Sequence, residues 1–456
     1  MTTASVDRLR DRIQGEVVMP NDPGYDDARR VYNAMIDRRP HVVIRCLGTE
    51  DVVTAVEYAR ANLLPVAVRG GAHSVPGFGT ADDAVVVDLA GMRQMAVDPE
   101  ARLARAKGGA TWGVFNEATS RHGLATTGGV ISTTGVGGLT LGGGIGYLAR
   151  GVGLSCDNLS SAEVVTADGR ILQASESENE DLFWAIRGGG GNFGVVTEFE
   201  FRLHPVAEIY GGPIFYELED AGTVLRFYRD FIKDAPESFG GFPAWQIAPP
   251  LPFIPEERHG EPFLAFVTCW AGPVDEGEKA LEPFREVAPI VAEHVGPMPY
   301  TALNSAFDAL VPAGLQHYWK ANFVAELTDE AIEAHLTHGP QVPVVNSTVH
   351  IYPINGACHR VAADATAFAY RDANFATVIA GMWPDPAENE ANTRWVRDYY
   401  EATAPLSEEG GYINFMAADD QDRIRANYKG NYDRLVEIKR RYDPENVFRV
   451  NQNIKP

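Results

Sequence analysis

Arg69-Gly70-Gly71-Ala72-His73-Ser74 begins where the apolar run Leu64 to Val68 ends, and the reading of the fold starts from this junction. Glycines in such a loop allow positive φ and let backbone N–H groups approach a ligand with no Cβ in the way. Arg69 adds a fixed positive charge and His73 an imidazole at the crest. The segment therefore reads as a ligand loop that carries one nucleophile. The plain alternative is a histidine satisfied within its own turn.

Two further glycine runs bear on that choice. Thr126 to Tyr147 contains Gly128-Gly129, Gly135, Gly137-Gly138, Gly142-Gly143-Gly144 and Gly146, with few core-forming side chains between them. Arg187-Gly188-Gly189-Gly190-Gly191-Asn192-Phe193-Gly194 precedes an alternating strand, Val195 to Phe201. Each ordered glycine costs conformational entropy, so a packed core has little use for so many. A long backbone surface lined with N–H and hydroxyl donors suits a large, anionic, hydrogen-bonding cofactor instead. Gly144-x-Gly146-x-x-Ala149 and Gly189-x-Gly191-x-x-Gly194 match the dinucleotide fingerprint, but neither lies between a strand and a helix, and a Rossmann fold is set aside.

At 456 residues the chain exceeds what one core usually serves, so two domains are expected. Its 62 acidic and 39 basic residues leave a formal charge of −23, which opposes nucleic acid and anionic membranes as partners. No apolar run approaches a membrane span, and Met1 to Leu9 lacks the pattern of a signal peptide, so a soluble, cytoplasmic protein is expected. Cys46, Cys156, Cys269 and Cys358 are scattered and read as buried thiols. His335 and His338 lie close, yet with no third ligand nearby they read as a solvated helix face, and no metal is expected.

Thr49 is expected to cap a helix reaching Ala61, with strands at Leu64 to Val68, Val85 to Leu89 and Ala162 to Thr166. Past Pro205 the long glycine runs stop and prolines cluster from Pro249 to Pro262, which places a boundary near residue 206. Phe263 to Cys269, Ser347 to Tyr352 and Thr377 to Ala380 read as strands of a half-buried antiparallel sheet, covered by helices such as Asp329 to Leu336. The chain then runs through Gly411 to Phe415 into a helix from Asn431 to Tyr442, stopped by Asp443-Pro444. The domains expected are 1–205, 206–415 and a returning segment, 416–456.

Together with Gly153-Leu154-Ser155-Cys156-Asp157-Asn158, Phe183 to Gly188, Tyr442-Asp443-Pro444-Glu445-Asn446 and Asn451-Gln452-Asn453-Ile454, these glycine loops give the chain a specific likeness. It resembles the berberine bridge enzyme-like and 6-hydroxy-D-nicotine oxidase-like flavoproteins of the vanillyl-alcohol oxidase superfamily, strongly over residues 15–205 and 410–456. The resemblance implies an α+β fold, with a two-subdomain PCMH-type FAD-binding domain and a second α+β substrate domain built on an antiparallel sheet. The cofactor implied is FAD, bonded through its 8α-methyl carbon to His73. The flavin is expected against Arg69, Gly70, Gly71, Ala72, Ser74 and Gly77 of the first loop and against Gly129, Val130, Ser132, Thr133, Gly135, Gly138, Gly142, Gly143 and Gly144 of the second. Val195, Asn451 and Asn453 complete the set, although the two asparagines have a capping role as their alternative.

In many relatives a cysteine of the second loop makes another flavin bond. Ile131 stands at that position and Cys156 is out of register, so a single covalent bond is expected. Thr134 aligns with the residue that gates O2, or else it caps a loop. Tyr412, in the Tyr-x-Asn pattern with Asn414, aligns with a base that takes the substrate proton; an ordinary strand tyrosine is the alternative. A tyrosine that supports this base in relatives is replaced by Ile145. Arg187 is expected to brace its glycine loop, and Lys320 to lie on a solvated face or to reach the pocket. The activity implied is that of an oxidase, in which hydride passes from a small apolar or aromatic alcohol, amine or phenol to FAD, and electrons pass to O2 with release of H2O2. A flavin monooxygenase or oxidative cyclase is the alternative activity, and a flavoprotein that only binds ligand is the third. The partners expected are a small-molecule substrate and O2, with a homodimer left open.

Overall fold

Val42–Arg45, Val66–Arg69 and Val85–Asp88 are short β-branched runs buried on both faces, and they pair in parallel with Val85–Asp88 in the middle. Parallel neighbours need a crossover, and the helix Thr49–Ala61 supplies it. A computed structural model describes residues 5–456, apart from the side chain of Gln421, so Met1 to Ala4 of the N-terminal stretch read above lie outside the described residues. Two boundaries differ from expectation. Gly48 is the helix N-cap, while the Thr49 hydroxyl turns to the Glu163 carboxylate at 2.7 Å. The strand ahead of the His73 loop starts at Val66, because the helix exit runs through Leu63 at φ 58° and uses up Leu64.

A second sheet, wholly antiparallel, takes the order Met95–Asp98, Leu103–Lys107, Val195–Arg202, Leu159–Val165, Ile171–Ser175. Neither fingerprint-like glycine run connects a strand to a helix. Gly144 follows the helix Val136–Leu141, and Gly189 follows the helix Glu180–Ile186. The long second loop is therefore not extended throughout, since Val136–Leu141 winds a short helix inside it.

The largest sheet has eight strands, all antiparallel, and Phe242–Ile247, Pro262–Trp270, Gln316–Val324, Thr348–Pro353 and Phe375–Trp383 form its centre and one flank. Strand alternation divides its side chains between two environments. Trp245, Leu264, Phe266, Val349, Ile351 and Ile379 pack against Val224, Leu225, Tyr228, Leu281, Ile332, Val396 and Tyr399 of four helices. Phe242, Val267, Tyr352, Val378, Ala380 and Met382 point the other way, toward Ile145, Tyr147 and Leu148 of the glycine-rich domain. The sheet is thus not half-buried as expected. Phe375–Trp383 is buried at every position because the glycine-rich domain takes the place of solvent.

Charged groups lock these parts together. Arg150 is buried and donates to Asn355 Oδ1 at 2.6 Å and to the carbonyls of Ala235, Pro236 and Phe239 at 2.7–3.0 Å, which secures the end of the helix Ala221–Asp234. Arg371 and Asp157, both buried, pair at 2.7 Å. The helix Tyr432–Tyr442 packs Leu435, Ile438 and Tyr442 with Leu182, Phe183 and Ile186. At its end Lys439 and Asp443, both with fully buried side chains, meet at 2.6 Å. Lys439 also donates to the carbonyls of Asn192 and Phe448, while Asp443 accepts from the Val447 and Phe448 amides. Asp443 therefore does more than stop a helix, because it ties the C-terminal segment to the third glycine run.

His335 is not solvated. It is buried with Nδ1 2.7 Å from the Tyr399 hydroxyl, and burial pushes its pKa down to about 4. No helix among the described residues is long and apolar enough to cross a membrane.

Two tests of stability follow from these buried groups. Removing one partner of a buried ion pair strands the other, so Lys439→Met should cost about 3–5 kcal/mol in urea unfolding; wild-type stability would mean that the pair contributes nothing. His335 charges near 6.5 when unfolded and near 4 when folded, so the unfolded chain binds its proton first and stability falls as pH drops between those values. His335→Gln should flatten that part of the melting-temperature profile, and an unchanged slope would exclude His335 as its source.

Candidate functional site

The first two glycine loops meet backbone to backbone. A Cβ on Gly71 would lie 2.4 Å from the Gly135 nitrogen, and one on Gly135 would lie 2.6 Å from the Gly71 nitrogen. These glycines serve close approach rather than positive φ; the left-handed residue of the loop is Ala72, at φ 60°. A non-glycine residue held there carries strain, and it sits immediately before His73.

The His73 ring stacks on Tyr32 at 3.7 Å between centroids. Thr133 Oγ1 lies 3.0 Å from Nε2, and Thr134 Oγ1 lies 3.5 Å from Nδ1. Burial, with a smaller contribution from His317, pushes the imidazole pKa down to about 3, so the ring is neutral at ordinary pH. Arg69 does not offer a free charge. Its guanidinium pairs with Asp88 at 2.6 Å, and both side chains are buried.

From His73 a cavity of about 430 Å³ extends between the domains. Arg69, Gly70, Gly71, Ala72, Ser74, Gly129, Val130, Thr134, Gly135, Gly138, Asn414 and Asn451 line it, as do Ile131 and Ile145. Other residues expected against the flavin are not part of the lining. Gly77 makes a turn at φ 76° under Ile36. Ser132 directs both its amide and its hydroxyl to Asp308, and Thr133 stands behind His73. Gly142, Gly143 and Gly144 leave room for Asn414, Phe368 and Ser155 respectively. Val195 turns into the core while its neighbours Gly194 and Val196 face the cavity. Asn453 is outside the lining, and Cys156 is buried with its thiol toward Asp157.

Tyr412 reaches the glycine run. It is buried outside the lining, and its hydroxyl accepts from the Gly144 amide at 2.8 Å, the Ile145 amide at 3.3 Å and Asn414 Nδ2 at 2.8 Å. Burial pushes its phenol up to about 12 although these donors pull the other way. Three donors on one oxygen make Tyr412 an anchor for the glycine run. Lys320 is neither solvated nor in the cavity, since Asp419 and Asp420 hold its ammonium, each at 2.8 Å. Arg187 lies over the Phe183 ring at 4.2 Å, outside the cavity.

Beyond the glycine loops the cavity wall is uncharged and largely apolar. It includes Phe215, Phe242, Leu251, Phe307, Val311, Trp319, Met382 and Phe415. Among the described residues Arg69, already paired, is the one Lys, Arg, Asp or Glu side chain in the lining. His350 and Tyr352, which the sequence reading passed over, face this half with His350 Nδ1 2.6 Å from the Tyr352 hydroxyl. The signal was present in the strand Ser347 to Tyr352, where Thr348, His350 and Tyr352 alternate with Val349 and Ile351. Among the described residues no group of three or more His, Cys, Asp or Glu could hold a metal ion.

The glycine-lined half fits a flat, hydrogen-bonding cofactor. A Cβ on Gly138 or Gly191 would meet no protein atom within 4 Å, so a side chain there would occupy the cavity itself. Asn451 donates its amide N–H to the carbonyls of Gly191 and Phe448, and its buried Oδ1 remains without a partner, ready to accept from a ring N–H.

Comparison with known proteins agrees. A family model described as "FAD binding domain" matches residues 40–175, and one described as "Berberine and berberine like" matches residues 411–455. The chain is 32% identical to the FAD-linked oxidoreductase YgaK of Bacillus subtilis over 98% of each protein. It is 30% identical to (R)-6-hydroxynicotine oxidase of Paenarthrobacter nicotinovorans over 97% of each. The crystal structure of 6-hydroxy-D-nicotine oxidase from Arthrobacter nicotinovorans superposes with a TM-score of 0.86 at 28% identity, covering 97% of this chain and 98% of that one. With its FAD-binding domain, its berberine-like C-terminal segment and its full-length likeness to these proteins, the chain belongs to the FAD-linked oxidoreductases of the berberine bridge enzyme-like fold.

Proposed function

We propose that this chain is an FAD-linked oxidase of neutral, largely apolar aromatic alcohols, amines or phenols. The observation that carries the reading is a single cavity with a neutral, oriented imidazole in its glycine-lined half and an uncharged, apolar wall in the other. An (R)-6-hydroxynicotine oxidase among the full-length relatives supports oxidase chemistry on a small aromatic molecule. Bound FAD supplies the chemistry that the side chains lack, taking hydride from the substrate and passing two electrons to O2 with release of H2O2.

His73 is the residue that would hold the cofactor covalently. An imidazole with a pKa near 3 keeps its lone pair free. Thr133, the closer hydroxyl, can accept the Nε2 proton, leaving the lone pair on Nδ1. A single bond is the consistent arrangement, since Ile131 lines the cavity and no cysteine does. Thr134 places a small side chain on the cavity wall beside His73, where O2 would pass. On the substrate side, burying a charge without a partner costs several kcal/mol, so the wall selects against carboxylated ligands and takes an amine as its uncharged free base.

Acid-precipitated protein should stay yellow, His73→Ala should release its flavin, and peptide mass spectrometry should find flavin mass on the His73 peptide alone. A colourless wild-type pellet, or flavin on the Cys156 peptide, would refute the linkage.

Under anaerobic conditions neutral aromatic alcohols, amines or phenols should bleach the flavin at least about 100-fold faster than their carboxylated analogues, the ratio expected for an unpaired buried charge. Under air, one H2O2 should form per product. Labelled oxygen from O2 in the product would instead mark a monooxygenase, and bound flavin that no compound reduces would mark a binding protein.

A further inference from the structure

With Tyr412 held outside the cavity, the oxidase needs another group to receive the substrate's proton, and few side chains on the substrate wall have that capacity. Gln246 and Asn346 give their amide N–H groups to the carbonyls of Val345 and Leu310, and amides do not titrate. The Thr348 hydroxyl donates to the Trp245 carbonyl at 3.0 Å, and Trp319 offers a donor only. Among the described residues no carboxylate lines the cavity. His350 and Tyr352 remain, two positions apart on one face of the strand Thr348–Pro353 and joined at 2.6 Å.

We propose that Tyr352 is the catalytic residue that takes the substrate's hydroxyl proton and that His350, as its positioning and relay partner, takes the proton that Tyr352 gives up. This rests on the oxidase reading above. Tyr352 donates its O–H to His350 Nδ1, which turns the lone pairs of the phenol oxygen to the substrate. When the substrate's C–H bond breaks, its hydrogen leaves with the electron pair as hydride, for which bound FAD would be the two-electron acceptor, and the carbon is oxidised by two electrons. The substrate O–H then belongs to a protonated carbonyl, a strong acid. That bond breaks and its proton bonds to Tyr352 Oη, while the former Tyr352 proton bonds to His350 Nδ1. The imidazolium sheds one proton to solvent as product leaves.

The surroundings suit a transient acceptor. Phe242 lies 4.5 Å from the Tyr352 ring and 5.0 Å from that of His350, and Phe415 stacks on Tyr352 at 6.0 Å. Burial pushes the His350 pKa down to about 3 and raises that of Tyr352, so both groups are neutral at rest. The weak basicity is enough because the pair meets a strong acid only after hydride has begun to leave.

The test combines a measurement without substrate and one with a named probe. In holoprotein labelled with 15N-histidine, the His350 ring should be the Nε2–H tautomer with Nδ1 as acceptor, and Tyr352→Phe should shift the Nδ1 resonance. An Nδ1–H tautomer overturns the relay, because Tyr352 then has nowhere to send its proton. With 4-methoxybenzyl alcohol, anaerobic flavin reduction should slow by at least about 100-fold in Tyr352→Phe, the lower bound for lost acid–base assistance. His350→Leu should follow it, and so should His350→Gln, whose amide oxygen can orient the phenol but cannot take its proton; a wild-type rate in His350→Gln overturns the relay. A loss under tenfold in Tyr352→Phe, or a larger one in Tyr412→Phe, overturns the assignment. If the probe fails to reduce wild-type flavin, the substrate class proposed above is at fault, and the tautomer alone decides the relay.

Discussion

The site depends on the crossing of two backbones at Gly71 and Gly135, where neither chain has space for a single carbon of side chain. From that crossing the first loop climbs through the left-handed Ala72 to His73, and the second runs back through Thr134 and Thr133 to the same ring. Gly135 also caps the helix Val136–Leu141, whose first amide is held by the Ala110 carbonyl. The position of the imidazole is therefore set by main-chain packing, and its tautomer by hydroxyls that the same packing delivers. Asp308, from beyond the boundary region, grips the intervening Ser132 and so ties the large-sheet part of the chain to the loop.

Much of this arrangement is legible in the residues themselves. β-Branched runs mark the strands at Val42–Arg45, Val85–Asp88 and Phe375–Trp383, and the conjunction of glycine with His73 marks one wall of the cavity. What the glycines serve is harder to read, because an absent side chain leaves no sign of what fills its space. Gly138 opens toward the cavity, whereas Gly142, four residues later, makes room for Asn414 from a segment 272 positions away in the sequence. Val195 and Val196 are equally apolar, and only the register of the strand sends one inward and the other to the cavity. His350 and Tyr352 were visible as a polar face on a strand. Their meaning depends on which side of the sheet lies against the glycine-rich domain, a tertiary fact. Lys320 and His335 likewise carry the composition of surface residues, and specific partners draw them inside.

Coupling between the two halves relies on groups that would be expensive to bury alone. Arg150 has no carboxylate partner; its charge is met by carbonyl dipoles at the end of the helix Ala221–Asp234 and by Asn355, a site where the helix macrodipole is itself negative. Arg371 on Asp157 and Lys439 on Asp443 repeat the theme with full counter-charges. Each fixes a segment that borders the glycine runs, so the shape of the cavity is specified by polar contacts around it while its interior remains apolar.

The surface and the cavity of this protein present opposite faces to an arriving molecule. A net charge of −23 repels anions at a distance, yet the substrate wall holds no charge that could draw a cation in. For a neutral substrate of the kind proposed, long-range steering has no part in capture, which becomes a transfer from water into a largely apolar lining. Encounter rates for a neutral ligand are then insensitive to ionic strength, and selectivity among substrates follows their preference for leaving water rather than their attraction to the protein.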